Sequence, residues 1–295
     1  MSKRVPFTPG DLTDHQRGTD DVLVGDNSVN GLFGDAGGSM FDHARGGNDT
    51  LTGPNNVTGG DVRHLLSGDA LFQFDFARGG NDTLIGVSNS SSDAGVFNEV
   101  WGEAANMFNS ARGGNDTLIG GNNTGGGGSL VDNALVGDGA NMHDSAQGGN
   151  DTLIGGNNTG GGQVINSLFG DAFVFFDSAK GGNDTLYAGT AAPGSLVSNL
   201  MWGDGEFDSA QAQGGSDLFV FKDDGPMTVG INNRIEDFSQ SQKDKIEFFG
   251  VEDVQSFNDL TITRIGTGTI ITAGADQVTL DNFTSTLTAH DFLFV

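Results

Sequence analysis

Short apolar runs recur along this chain at nearly constant intervals, each one between glycine-rich segments. Residues 46–51 read Gly-Gly-Asn-Asp-Thr-Leu, and the phrase returns at 79–84, 113–118, 148–153 and 181–186, with an altered copy at 214–219. Its aspartates step by 33, 34, 35, 33 and 33 residues, which predicts stacked repeats. A Thr-Leu-Ile strand has room for one inward side chain, so one ladder of leucines is expected: Leu51, Leu84, Leu118, Leu153 and Leu186.

Each repeat holds two further phrases. Two mostly apolar residues precede Gly-Asp or Gly-Glu at 32–35, 66–69, 100–103, 135–138, 168–171 and 201–204. Two residues before each copy stands a polar column that could form an amide ladder along the stack: Asn30, His64, Asn98, Asn133, Asn166 and Asn199. A third phrase places a polar residue four positions before Gly-Gly, at Asp42, Asp75, Asn109, Asp144 and Asp177, with Asp208 displaced by two residues.

These columns predict an all-β fold, a parallel β-roll or β-solenoid of about 34-residue repeats with a C-terminal β cap. Residues 1–17 are expected to form a polar N-terminal leader, 18–213 the solenoid repeats and 214–295 the C-terminal cap region. Glycines turn the chain between strands, because they accept positive φ at little cost. Each repeat could be one wide coil or two tight coils, and the pattern is compatible with both.

The amino-acid composition argues against several classes of binding partner. The 295-residue chain carries 39 Asp and Glu against 13 Lys and Arg, a net charge of -26, which argues against nucleic acid and anionic lipid. It has no cysteine, so disulfides and thiolate metal sites are excluded. No segment reaches the roughly 18 apolar residues of a transmembrane helix, and no apolar stretch follows the basic N-terminal residues.

Acidic residues that recur in every repeat are expected to repel one another, and a bound cation would remove this repulsion. Stacked coils lie about 4.8 Å apart, so a carboxylate repeated in every coil faces its own copy. Calcium takes six to eight oxygens from carboxylates and turn carbonyls, whereas zinc prefers His or Cys, and the five histidines are expected to share no column. The acids of the second and third phrases are therefore candidate Ca²⁺ ligands: Asp35, Asp69, Asp138, Asp171, Asp204, Asp42, Asp75, Asp144 and Asp177.

The phrase Gly-Gly-Asn-Asp-Thr-Leu-Ile-Gly-Gly resembles the nonapeptide of the RTX, or haemolysin-type calcium-binding, family. The resemblance implies a β-roll or β-solenoid in which the motif aspartates and turn carbonyls bind several Ca²⁺ ions. Carried over by position, it nominates further ligands: Gly47, Asp49, Gly80, Asp82, Gly114, Asp116, Gly149, Asp151, Gly182, Asp184, Gly215 and Asp217.

The C-terminal segments 217–221, 235–238, 244–246 and 291–295 resemble the cap and the uncleaved signal of type I secretion substrates. This resemblance implies type I secretion machinery as a partner. It also implies a secreted, extracellular protein that could be associated with the cell surface.

No catalytic constellation is visible, because the sequence lacks a nucleophile elbow, a His-Glu-x-x-His motif and a phosphate loop. The favoured interpretation is a non-enzymatic protein of a surface layer, matrix or adhesion that folds on Ca²⁺ and self-associates head-to-tail. The alternatives are a toxin-like effector or pore-forming protein, and an accessory module of a secreted enzyme. Trp101 and Trp202 are read as stacking residues rather than carbohydrate contacts, and the threonine column as β-favouring rather than ice-matching.

Overall fold

The protein is an all-β solenoid of about six turns, seen here in a computed structural model that describes residues 10–25, 31–54, 60–222 and 232–295. Each repeat forms one wide coil, because every strand pairs in parallel with the equivalent strand one repeat later. Thr117, for example, lies between Thr83 and Thr152. The predicted parallel β-solenoid is therefore confirmed. Of the two alternatives that the sequence left open, the structure has one wide coil per repeat.

Sheet 1 is parallel throughout and buries the predicted leucine ladder. Leu51, Leu84 and Leu118 are fully buried, whereas the threonines before them are half-buried on the outer side. Its strands are Val22–Val24, Thr50–Thr52, Thr83–Ile85, Thr117–Ile119, Thr152–Ile154, Thr185–Tyr187, Leu218–Lys222, Lys245–Phe249 and Phe292–Phe294.

Sheet 2 packs against sheet 1 across this apolar core and ends in an antiparallel hairpin. Its strands, in spatial order, are Gly31–Phe33, Val62–Ser67, Gly95–Trp101, Leu130–Val136, Gln163–Phe169, Leu196–Trp202, Asn232–Ile235, Asp276–Leu280, Gly268–Ala273 and Leu260–Ile265. Sheet 3 follows the Gly-Asp phrase in each coil. Its parallel strands are Ala36–Met40, Ala70–Gln73, Ala104–Met107, Gly139–Met142, Ala172–Phe175 and Glu206–Phe207.

Residues 214–295 extend sheets 1 and 2 beyond the regular repeats. Leu218–Lys222 pairs with the last Thr-Leu strand, and Phe292–Phe294, within the predicted secretion signal, pairs with Lys245–Phe249. Two short 3-10 helices, Phe257–Asp259 and Ala289–Asp291, lie in this region. Of the predicted leader, residues 1–9 lie outside the described residues, as does Asn30 of the amide column.

Separate clusters of buried apolar residues occupy different parts of the coil's cross-section. The largest lies between sheets 1 and 2, a second lies behind sheet 3, and a third contains Val96, Val131 and Val164 behind the loops that follow sheet 1. Columns of buried polar side chains lie between the large cluster and each of the two smaller ones. One of these columns is the predicted amide ladder.

We call this column the amide neck: Asn98, Asn133, Asn166 and Asn199. Asn133 Nδ2 donates to Asn166 Oδ1 at 2.8 Å, and Asn166 Nδ2 donates to Asn199 Oδ1 at 2.8 Å. Each amide also pairs with a loop backbone, as Asn166 does by accepting from Gly156 N–H at 2.9 Å and donating to its carbonyl at 3.0 Å. The amide ladder is confirmed, because an amide carries both the donor and the acceptor that stacking on its own copy requires.

Aromatic rings stack along the turn that follows sheet 3. Phe74 lies 5.0 Å from Phe108 between ring centroids, and His143 lies 4.5 Å from Phe176. The expectation that histidines share no column is wrong for His15 and His43, whose rings stack at 5.2 Å. The two rings lie in nearly parallel planes, so they extend the stack rather than converge on one ion.

Candidate metal centre

The acids of the Gly-Asp phrase form one buried column inside the coil: Asp35, Asp69, Glu103, Asp138, Asp171 and Asp204. These carboxylates accept hydrogen bonds from the second glycine of the Gly-Gly turn. Gly47 N–H donates to Asp35 Oδ2 at 2.8 Å, and Gly182 N–H donates to Asp171 Oδ1 at 2.6 Å. The two phrases of each coil therefore face each other, although 11 or 12 residues separate them.

The acids of the Gly-Gly-Asn-Asp phrase form a second buried column: Asp49, Asp82, Asp116, Asp151, Asp184 and Asp217. In each of them Oδ1 accepts the backbone N–H of the aspartate one coil earlier, as Asp116 Oδ1 does from Asp82 at 2.7 Å. Within the described part of the chain, every Oδ2 of this column is buried without a hydrogen-bond partner. We call the two columns together the acid neck.

The carboxylates fill space that is free because the neighbouring glycines have no side chain. A Cβ added to Gly137 would lie 1.7 Å from the carbonyl oxygen of Gly170 and 2.3 Å from Asp151 Oδ2. Gly34, Gly68, Gly102 and Gly170 meet the two equivalent atoms, and a Cβ on Gly203 would lie 2.4 Å from Asp217 Oδ2. Only a residue without a side chain fits at this position, which explains why Gly precedes every acid of the first column.

Burial dominates the electrostatics of the acid neck. It raises the pKa of Asp82 to about 9, with the charge of Glu103 adding to the effect, and raises the pKa of Asp49 to about 8. Burial also raises the pKa of Asp151 and Asp171 well above the usual carboxyl range. Without a counterion, these groups favour the protonated form at neutral pH.

Glu103 is the only glutamate of the acid neck, and a second substitution accompanies it. Gln73 stands in a sheet 3 column otherwise formed by methionines and phenylalanines: Met40, Met107, Met142, Phe175 and Phe207. Its Nε2 donates to Asp69 Oδ2 at 3.1 Å and to Glu103 Oε2 at 3.0 Å. Sequence reasoning missed Gln73, although its isolated polarity in an apolar column was the available signal.

The third predicted column lies elsewhere, on the outer turn after sheet 3. Asp42, Asp75, Asp144 and Asp177 adopt left-handed backbone, with φ between 53° and 59°, and are exposed or half-buried. Asp144 N–H donates to Asp177 Oδ2 at 3.1 Å, so the side chains connect successive turns. The structure does not bring this column together with the acid neck.

The acid neck extends past the regular repeats into the C-terminal region. Asp244 is buried, its Oδ1 accepts Asp217 N–H at 3.1 Å, and burial raises its pKa to about 7. Asp237 accepts from Gly203 N–H at 2.8 Å. Sequence reasoning missed both as site residues, although Asp244 precedes a strand just as Asp184 and Asp217 do.

The acid neck meets only some of the requirements of a metal site. Within residues 10–25, 31–54, 60–222 and 232–295, no three His, Cys, Asp or Glu side chains converge in a metal-holding group. A site here would combine one or two carboxylates with backbone carbonyls. Calcium accepts such mixed oxygen sets, and the unpartnered Oδ2 atoms are unused acceptors. The residues therefore fit calcium coordinated largely by backbone, and they do not fit an all-carboxylate cage.

Comparisons with known proteins add no assignment. No protein-family model matches the sequence, and no curated protein matches it either. The resemblance to RTX repeats and to type I secretion substrates thus stays a prediction. Helices long and apolar enough to cross a membrane are absent from the part of the chain that the structure describes.

Proposed function

We propose that this chain is a calcium-binding structural protein of the cell surface or extracellular matrix that folds on Ca²⁺ after export through a type I system. The support comes from the acid neck, whose twelve acids recur at equivalent positions in successive coils. An active site is normally unique, whereas a ligand set repeated in every coil serves the coil itself. The proposed role of the protein is therefore structural rather than catalytic.

One observation carries the proposal: the acid neck contains buried carboxylate oxygens that no described donor reaches. Leaving a buried polar atom unpaired costs about 1–3 kcal/mol, and more for a charged group. At neutral pH the choice is between protonating many carboxyls and binding a cation. Calcium at extracellular concentrations suits weak sites of about 10⁻⁴–10⁻³ M, whereas the cytosol would leave the chain metal-free and unfolded for export.

Far-ultraviolet circular dichroism tests the proposal. At pH 7.5 the purified chain should be largely disordered in EDTA and β-rich in millimolar Ca²⁺, with magnesium at the same concentration as the control. Because binding energy is here folding energy, the strand signal should follow calcium occupancy. Identical spectra with EDTA and with Ca²⁺ would remove the basis of the proposal.

Head-to-tail self-association belongs to the same proposal. The outer strand of sheet 1, Val22–Val24, exposes Val22 and Val24, and the outer strand of sheet 2, Leu260–Ile265, exposes Ile262 and Ile265. Such end strands offer unpaired backbone groups to another copy, and a contact that does not close builds a filament. Light scattering and electron microscopy in millimolar Ca²⁺ should reveal filaments or layers, and monomers alone at high concentration would contradict self-association.

A further inference from the structure

A column of basic residues runs along the outer surface of the solenoid. Consecutive backbone bridges connect Arg17, Arg45, Arg78 and Arg112, and then Gln147, Lys180 and Gln213. This column holds five of the 13 Lys and Arg in the chain, and none of its members is acidic. In a protein with 39 acidic residues, such a concentration of positive charge is distinctive.

The arginine side chains of this column have no partner among the residues that the structure describes. Arg17, Arg45, Arg78 and Arg112 are exposed, and within the described ranges none of their side chains forms an ion pair, a hydrogen bond or a ring contact. Like charges in neighbouring coils lie about 4.8 Å apart at the backbone and repel one another. A ladder of unpaired cations is therefore suited to an external anion that repeats along the same axis.

The arginines line a groove of about 620 Å³ that crosses five coils. The Gly-Gly turns, Asp20 and the asparagines Asn48, Asn81, Asn115 and Asn150 also line this groove. Each asparagine Oδ1 from Asn48 to Asn115 accepts the next coil's N–H at 2.7–2.8 Å. Among the described contacts, the Nδ2 groups of Asn48, Asn81 and Asn115 donate to no protein atom, so they are available to a ligand.

We propose that this groove binds an extended acidic polysaccharide, with one uronate residue per coil along the arginine column. A guanidinium pairs with a carboxylate through two parallel hydrogen bonds, and the free amides suit the sugar hydroxyls. Twelve of the 39 acids lie inside the acid neck, so the net charge overstates the repulsion that a polyanion meets at this surface. Binding requires the folded coil and does not depend on which cation occupies the acid neck.

Nucleic acid fits the groove less well than a polysaccharide. Single strands are held by bases stacked on aromatic side chains, and no aromatic residue lines the groove. Duplex DNA needs a broad basic surface, whereas the basic residues here form a single column on an acidic molecule. A linear chain that carries one carboxylate per ring matches the one-dimensional array more closely.

The test uses the full chain in millimolar Ca²⁺ and a fluorescently labelled galacturonate hexasaccharide, with anisotropy as the readout. In the variant R45Q/R78Q/R112Q, each arginine becomes the residue that the same column carries at Gln147 and Gln213. The matched control R63Q/K222Q/R264Q removes the same charge from residues outside the groove. We expect at least about tenfold weaker binding for the groove variant and a change of less than about twofold for the control.

Three outcomes of the hexasaccharide titrations would overturn the proposal, provided circular dichroism of the same samples confirms folded protein. They are no saturable binding by the unmodified chain, equal loss in both variants, and equal binding of the methyl-esterified hexasaccharide. Tighter binding of a DNA oligonucleotide, or arginine-dependent dimers in light scattering, would assign the groove to another partner and also overturn it. A chain that stays unfolded with Ca²⁺ contradicts the calcium proposal instead, so the two failures are distinguishable.

Discussion

The amide neck and the acid neck occupy equivalent places in the coil but differ in how completely they are satisfied. In the amide neck, Asn166 both donates and accepts, to its neighbour in the stack and to the loop backbone. In the acid neck, Asp151 Oδ1 accepts the backbone N–H of Asp116, and its Oδ2 has no described partner. An amide can stack on its own copy, whereas a carboxylate can only accept and needs a proton or a cation.

Because its carboxylates need protons or cations, the acid neck should control folding. The amide neck is complete in the protein alone, so it should be insensitive to metal and to pH. The acid neck has carboxylate oxygens without a described donor, so its stability should depend on the protons and cations in solution. The two necks should therefore differ in how they respond to pH, to calcium and to substitution.

Without calcium, stability should depend strongly on pH through the acid neck. The folded pKa values of Asp49, Asp82 and Asp217 are about 8, 9 and 9, above the usual carboxyl value of 3.8. The folded state then binds more protons than the unfolded chain. The stabilisation is fully present below about pH 4 and is lost as pH rises through about 8–9.

In EDTA the chain should therefore recover strand content at pH 5 and lose it at pH 8, as measured by circular dichroism. Millimolar Ca²⁺ should reverse this trend, because protons then compete with the metal for the same oxygens. A calcium-free protein that is more stable at pH 8 than at pH 5 would show that these carboxylates are paired by something other than protons or cations.

Introducing a carboxylate into the amide neck should disrupt it in a way that calcium does not repair. Asn166→Asp removes the donor to Asn199 and to the Gly156 carbonyl, and buries a charge. We expect a loss of about 3 kcal/mol or more of unfolding free energy in urea titrations. The control Asn157→Asp keeps an exposed acceptor for Thr190 N–H and should change little. Equal effects of the two substitutions would contradict the distinction between neck and loop.

Gln73 should matter because its side-chain amide donates to two acids of the acid neck, Asp69 and Glu103. Gln73→Met leaves one oxygen each of Asp69 and Glu103 without that hydrogen bond, and should lower the unfolding free energy by about 1–3 kcal/mol. The double variant Q73M/E103D restores the residue types of the other coils and should recover part of the loss. Additive losses in this double-mutant cycle would mean that the two residues are not coupled.

The outer turn column should tolerate loss of charge and respond to backbone preference instead. Asp144→Asn keeps a residue that accepts left-handed backbone, as Asn109 does at φ 60°, and should change stability by less than about 0.5 kcal/mol. Asp144→Val places a β-branched residue at φ 57° and should cost about 1–2 kcal/mol. If the asparagine variant were the more damaging of the two in calorimetry, the carboxylate itself would be needed.

The sequence predicts the ladders of identical side chains well, because identical residues in register can only stack. The leucine ladder and the amide ladder are both confirmed on this ground. Recurrence alone could not tell Asp151 from Asp144, since both return in nearly every repeat while only Asp151 is buried. The number of coils per repeat could not be read from the sequence, because it depends on which loops pair with each other. Gln73 breaks an apolar column, but the sequence alone does not show that its side chain reaches Asp69 and Glu103.

We propose that calcium binds at the acid neck and not at the outer turn column. Equilibrium dialysis with metal analysis should find several Ca²⁺ ions per unmodified chain, fewer in D116N/D151N/D184N, and an unchanged number in D75N/D144N/D177N. Each triple variant removes three carboxylates, so nonspecific charge effects are matched between them. Unchanged calcium content in the acid-neck variant, or a loss confined to the turn-column variant, would contradict the account.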